Sequence, residues 1–303
     1  MRRLITTMAQ QAGPRRFAPL QHGIAADQTN NLPKLKGVVF DVDGTLCLPS
    51  EPQNHMFGEM RAVLGIPKSV DILEHVYSLT PRSAQDEAME SIRAIERREM
   101  ARQTPQPGLA ELMAYLDARG VPKAICTRNF DAPVHHLLTK FLPGSVFHPV
   151  VTREFRPPKP DPAGILFIAR SWGLVRSADD LGPERTEQVR RMVENEDSAQ
   201  ASPRIKEGAL DKEKVLAEDA RNGKLQEREV VEHVGDASGL IMVGDSIDDM
   251  TAGRKAGAAT VLLVNKANEH LSEHAHTDMT ITKLDELVHM LERGFAGREI
   301  PEN

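Results

Sequence analysis

The tightest constraint in this chain is an abrupt change of character: the apolar run Gly37-Val38-Val39-Phe40 ends directly in Asp41-Val42-Asp43-Gly44-Thr45. Consecutive apolar residues closed by acids and a glycine read as a strand buried on both faces, the kind a parallel sheet uses. Residues two apart on an extended chain project the same way, so the carboxyl groups of Asp41 and Asp43 can share one cavity beyond the strand. Gly44 then lets the chain turn sharply. Carboxylates this close repel, so either a cation lies between them or one stays protonated. A charged nucleophile and a proton donor are the two states such a pair offers.

Three further segments have the same placement at the ends of apolar runs. Thr127-Arg128-Asn129 follows Ala124-Ile125-Cys126. Its hydroxyl, amide and backbone N–H groups can hold phosphate oxygens without taking part in bond making. Lys159 lies in Pro157-Pro158-Lys159-Pro160-Asp161-Pro162, where the prolines restrict the loop and so the ammonium group. Gly244-Asp245-Ser246-Ile247-Asp248-Asp249 follows Leu240-Ile241-Met242-Val243 and runs into a helical pattern. Asp245 at the strand tip suits Mg²⁺, which takes one or two carboxylates alongside waters and substrate phosphate. Asp249, one turn into the helix, can hold a metal-bound water or pair with Lys159. The alternative reading of Gly-Asp-Ser alone is a helix N-cap.

The order of elements predicts an α/β fold built on a doubly wound parallel sheet. Strands are expected at 37–40, 124–127, 146–152, 240–243 and 260–264, with helices between them. Residues 51–104 break the rhythm. Met56, Met60, Val63 and Leu64 recur at helical spacing, as do Val70, Leu73, Val76 and Tyr77, and a charged helix follows over 83–102. Thr104-Pro105-Gln106-Pro107-Gly108 closes this helical block. The α/β part therefore comprises 35–50 and 105–294. Within it, 177–236 is rich in acids and bases of both signs and lacks aromatics, which predicts a flexible surface insertion or, more sharply, a docking segment for a protein partner.

Asp-x-Asp-Gly-Thr, a Thr after a strand, Lys-Pro and Gly-Asp-Ser-x-x-Asp, in that order, resemble the four motifs of the haloacid dehalogenase (HAD) superfamily. The helical block resembles the C1-type cap of its phosphoglycolate phosphatase and β-phosphoglucomutase branch. The resemblance covers about 36–178 and 239–291. It implies that Asp41 is the nucleophile and Asp43 the general acid/base. It further implies that Mg²⁺ is bound by the Asp41 carboxylate, the Asp43 backbone carbonyl and Asp245, with Asp249 at the family's second acidic position. Thr127 and Lys159 would hold the phosphoryl group, with Arg128 and Asn129 beside them. Asp248 stands where other members often carry Asn. The dehalogenases themselves lack the second aspartate, because attack on carbon needs no proton for an alkoxide, so Asp43 argues for phosphoryl transfer to or from a small phosphorylated metabolite. A phosphomutase and a non-catalytic binding protein docking through its insertion are the alternatives.

Bulk properties agree. The chain of 303 residues has ample length for a core, and its net charge of −6 offers no basic footprint for nucleic acid. No apolar run is long enough to span a membrane, and two cysteines, Cys47 and Cys126, fit a reducing compartment, which predicts a cytoplasmic protein. The acid-free stretch 1–26, with Arg15-Arg16-Phe17-Ala18 as a processing site, resembles a mitochondrial transit peptide, the alternative being that 1–34 is a disordered tail. Arg61, Arg82 and Arg93 in the helical block are candidates for reading the polar end of a substrate, solvation of a helix surface being the other reading.

Overall fold

A computed structural model of the chain describes residues 15–20, 32–48, 53–177 and 233–298. In chain order the strands are β1 (Gly37–Phe40), β2 (Cys47–Leu48), β3 (Thr104–Pro105), β4 (Lys123–Cys126), β5 (Val150–Val151), β6 (Val175–Ser177), β7 (His233–Gly235), β8 (Leu240–Gly244), β9 (Ala259–Leu263) and β10 (Met279–Ile281). The helices are α1 (Gln53–Leu64), α2 (Ile72–Ser78), α3 (Arg82–Met100), α4 (Leu109–Ala118), α5 (Asp131–Phe141), α6 (Ala163–Ser171), α7 (Ile247–Ala256) and α8 (Glu286–Arg293).

Six strands form one sheet in the order β10-β9-β8-β1-β4-β5, every neighbouring pair parallel. The expected α/β class is the observed one, with β10 as an additional strand. Every residue of β1 is buried, as the apolar run required. Alternation along that strand sorts its side chains to the two faces. Val38 and Phe40 join a core with residues of α4, α5 and α8, including Leu112, Leu137 and Leu287. Val39 joins the opposite core with Ile165 and Ile168 of α6 and Ala252 of α7. From β1 the chain moves to one side through β4 and β5, and later to the other through β8, β9 and β10. The C-terminal ends of β4, β1 and β8 therefore flank the point where the winding reverses, the place where an open α/β sheet collects its ligands.

Helices α1 to α3 pack on a small core of their own, containing Met56, Met60, Ile72, Leu73, Val76, Ile92 and Ile95. Val63, which shares the helical spacing, is instead exposed. Strands β2 and β3, on either side of these helices in the sequence, pair antiparallel. The expected insertion lies outside the described residues except at its ends, where β6 and β7 pair antiparallel and bring the two ends side by side.

Residues 15–20, within the stretch expected to be a tail, pack on the α/β core. Phe17 is 1% exposed, its N–H donates to the Phe295 carbonyl at 2.9 Å, and the two rings lie 5.7 Å apart. The rest of 1–31 lies outside the described residues. No helix among the described residues is long and apolar enough to cross a membrane.

Candidate active site

The chain leaves β1 through a tight turn in which the Val42 carbonyl accepts the N–H groups of Thr45, Leu46 and Cys47 at 3.2, 2.8 and 3.2 Å. Gly44 sits at φ +80°, and a Cβ there would lie 2.1 Å from an Asp245 carboxylate oxygen. Glycine is thus required twice over, for the left-handed backbone and for the approach of the β8 loop. Asp41, Asp43, Thr127, Arg128, Asn129, Lys159 and Asp245 all border one cavity of about 500 Å³, whose remaining wall comes largely from α1 to α3. Segments spread along the whole chain are thereby brought to one place.

Lys159 is the electrostatic centre. Its ammonium group is buried, donates to Asp41 Oδ1 at 2.8 Å and also bonds Asp249 Oδ1. Burial opposes its charge, but Asp249 and Asp41 outweigh that and hold its pKa above the usual lysine range. Burial also pushes the Asp41 carboxyl up to about 6, against the pull of Lys159 and with the repulsion of Asp249. Asp43 is likewise raised by burial, offset in part by a hydrogen bond from Gln103 Nε2 at 2.9 Å. Two carboxyls raised by burial, side by side, are a feature that nucleophile and acid/base chemistry uses.

Asp249 is fully engaged. Oδ1 meets Lys159, while Oδ2 accepts from the Ser246 N–H at 3.0 Å and its hydroxyl at 2.6 Å. Ser246 Oγ in return accepts the Asp249 N–H at 3.3 Å, so the pair forms a capping box at the start of α7. The N-cap reading of Gly-Asp-Ser is the observed geometry, and it leaves Asp249 Oδ1 on Lys159. Asn268 Nδ2 donates to the Asp245 carbonyl at 2.7 Å and steadies the same loop.

Asp41, Asp245 and Asp249 each place a carboxylate oxygen within 4.8 Å of the others. Such a concentration of acid, with Lys159 bound to two of its members, fits a small hard divalent ion. Both oxygens of Asp249 already have partners, Lys159 on one and Ser246 on the other. The Asp43 side chain lies outside this cluster, so any contribution from that residue would come from its backbone carbonyl, as the motif resemblance implies.

Thr127 is buried, and its Oγ1 accepts the Asn129 N–H at 3.2 Å. Arg128, expected beside the phosphate, borders the cavity with its guanidinium divided between two acids: Nη1 donates to Asp248 Oδ2 at 2.6 Å and Nη2 to Asp71 Oδ2. Asp71 caps α2, accepting the N–H groups of Leu73 and Glu74 at 3.0 Å. Arg82 pairs with Asp86 and Arg93 with Glu154, whereas Arg61 borders the cavity.

Sequence reasoning missed Gln103, Asn268, Asp71, Glu96 and Arg153. No spacing rule singles them out, because each reaches the site through packing between segments far apart in the chain. His274 and His276, which invite a metal reading, have structural partners: His276 Nδ1 is 3.0 Å from Thr251 Oγ1, and His274 Nδ1 accepts the His276 N–H at 3.1 Å. Both cysteines are buried, with thiol pKa values pushed up by burial, which fits packing and not redox chemistry.

A family model described as haloacid dehalogenase-like hydrolase matches residues 35–189. An uncharacterised hydrolase of Saccharomyces cerevisiae is 35% identical over 266 residues, covering 86% of this chain and 93% of the yeast protein. A haloacid dehalogenase-like hydrolase domain-containing protein of Arabidopsis thaliana is 35% identical over 156 residues, covering 48% of this chain and 61% of that protein. Among solved structures, a hydrolase from Pseudomonas syringae superposes with a TM-score of 0.53 at 17% identity, covering 85% of this chain and 98% of the other. A predicted phosphoglycolate phosphatase from Haemophilus somnus 129pt gives a TM-score of 0.51 at 14% identity over 84% and 97% of the chains. These two are likenesses of fold.

Proposed function

Because this chain belongs to the haloacid dehalogenase-like hydrolase family, we propose that it is a Mg²⁺-dependent phosphatase, hydrolysing the phosphomonoester of a small metabolite through a phosphoryl group held transiently on Asp41. The observation that carries this reading is the buried contact of Lys159 with Asp41 at 2.8 Å, in a cavity also bordered by Asp43, Thr127 and Asp245.

In the first half-reaction an Asp41 carboxylate oxygen attacks phosphorus in line as the bond to the leaving oxygen breaks. Asp43, whose carboxyl burial shifts toward the protonated form, delivers its proton to that oxygen. Lys159 offsets charge on Asp41 and on the transferring group, while Thr127 holds a phosphoryl oxygen. In the second half Asp43, now a carboxylate, takes a proton from water, which attacks phosphorus and frees Asp41 with release of phosphate. Gln103, bonded to Asp43, orients the acid/base for both halves. A magnesium ion held by Asp41, Asp245 and the Asp43 carbonyl would neutralise phosphoryl oxygens and offset the repulsion among the acids. Helices α1 to α3 act as the cap that keeps bulk water from the first half.

Release of inorganic phosphate from p-nitrophenyl phosphate in the presence of Mg²⁺ tests the proposal. Asp41→Asn is expected to lower kcat by at least about a thousandfold, as loss of a nucleophile does. Retention of activity in that variant would remove Asp41 from its role. Free phosphate release, as opposed to return of the phosphoryl group to a sugar phosphate, separates the hydrolase from a mutase.

A further inference from the structure

The wall of the cavity also contains a buried ion pair that the mechanism does not use. Arg153, in the loop after β5, donates through Nη2 to Glu96 Oε2 on α3, so the pair joins the helical block to the core. Both border the cavity, and both lie close enough to Asp43 to act on it: Arg153 favours its ionised form, and Asp43 in turn repels the Glu96 carboxylate. Asp43 faces the leaving oxygen in the mechanism above. The pair therefore stands where the alcohol part of a substrate begins.

Its chemistry is selective. Among the described residues Arg153 Nε has no hydrogen-bond partner although it is buried, and Nη1 reaches only the weak acceptor Met89 Sδ at 3.9 Å. The guanidinium thus keeps donor capacity, while its charge is already matched by Glu96. A hydroxyl can accept from Arg153 and donate to Glu96 at once, whereas a carboxylate can only accept and must approach a buried anion. The Arg153 charge, already matched by Glu96, does not offset that repulsion. Three guanidinium groups (Arg61, Arg128 and Arg153) and the acids Asp71, Glu96 and Asp248 border the cavity here; Arg128 takes Asp71 and Asp248, Arg153 takes Glu96, and Arg61 donates to the Phe57 carbonyl at 3.4 Å.

We propose that the Arg153–Glu96 pair reads the leaving group, selecting phosphomonoesters of neutral, hydroxyl-bearing alcohols over those whose alcohol part is anionic. The proposal rests on the phosphatase reading and adds the substrate class to it.

A matched pair of substrates tests it: glycerol 3-phosphate and 3-phosphoglycerate, in which a carboxylate replaces a hydroxymethyl group, each assayed with the full-length enzyme and Mg²⁺. The expected kcat/KM is at least about tenfold higher for glycerol 3-phosphate, the scale on which a hydrogen-bonding site discriminates. Glu96→Gln is expected to narrow that ratio at least about threefold, chiefly through a lower KM for 3-phosphoglycerate. Equal or lower turnover of glycerol 3-phosphate, including none, in an enzyme that hydrolyses p-nitrophenyl phosphate overturns the selection and leaves the phosphatase intact. Absence of p-nitrophenyl phosphate hydrolysis by folded enzyme overturns the phosphatase reading itself. The wild-type comparison decides the matter even if Glu96→Gln fails to fold.

Discussion

At the scale of single residues, the site depends on charges that burial makes expensive and partners make tolerable. Lys159 has almost no exposure and touches two carboxylates, so removing its charge leaves acids without a counterion in a poorly hydrated place. Lys159→Met should therefore lower stability by about 3 kcal/mol and turnover by at least about a hundredfold, measured by chemical denaturation and by phosphate release. An active, equally stable variant would deny Lys159 its central place. Glu96 gives a signed pH dependence. Burial pushes its carboxyl up to about 7 from the ordinary 4.5, against the pull of Arg153 and with the repulsion of Asp43. A carboxyl raised in the folded state contributes stability that is complete below the unfolded pKa and is lost as pH rises through the folded value. Between about pH 4.5 and 7 the wild type should then lose on the order of 2 kcal/mol relative to Glu96→Gln, which cannot ionise. Parallel stability curves for the two proteins would contradict this.

At the scale of elements, the motifs of Asp41, Thr127 and Asp245 were legible because each begins where a buried strand ends, whereas Lys159 stood out by its flanking prolines. Burial on both faces makes those strands read as unbroken apolar runs, and the polar residue that follows is conspicuous. What escaped notice depends on docking between elements. Asp71 looks like an ordinary helix cap until the α1 to α3 block places it against Arg128, and Glu96 and Arg153 lie 57 positions apart. Strands β2 and β3 have two residues each, too short for any periodicity to show. The Arg128 bridge also carries a prediction of its own. Its guanidinium ties α2, through Asp71, to α7, through Asp248, across the cavity. Arg128→Ala should loosen the helical block over the site and raise KM several-fold, on the order of 1 kcal/mol for a partly exposed pair. Steady-state kinetics would read it; an unchanged KM would mean that the bridge does not govern closure.

For the whole molecule, the sheet brings together segments more than two hundred residues apart in the sequence, from Asp41 to Asp245 and Asp249. The alternation of apolar runs and amphipathic helices was enough to infer that assembly. The packing of residues 15–20 was not legible, because Phe17 finds Phe295 at the far end of the chain and no local pattern announces such a pairing. The acidic cluster implies a further dependence on metal. Chelation with EDTA should abolish phosphate release and added Mg²⁺ restore it, while full activity in excess chelator would remove the cation from the account. The central claim, that Asp41 carries the phosphoryl group, is tested most directly by acid-quenching the enzyme during turnover and mapping the modified peptide by mass spectrometry. The prediction is a base-labile phosphoryl group on Asp41. Turnover with no phosphoryl group on the enzyme, or with one on another residue, would contradict it.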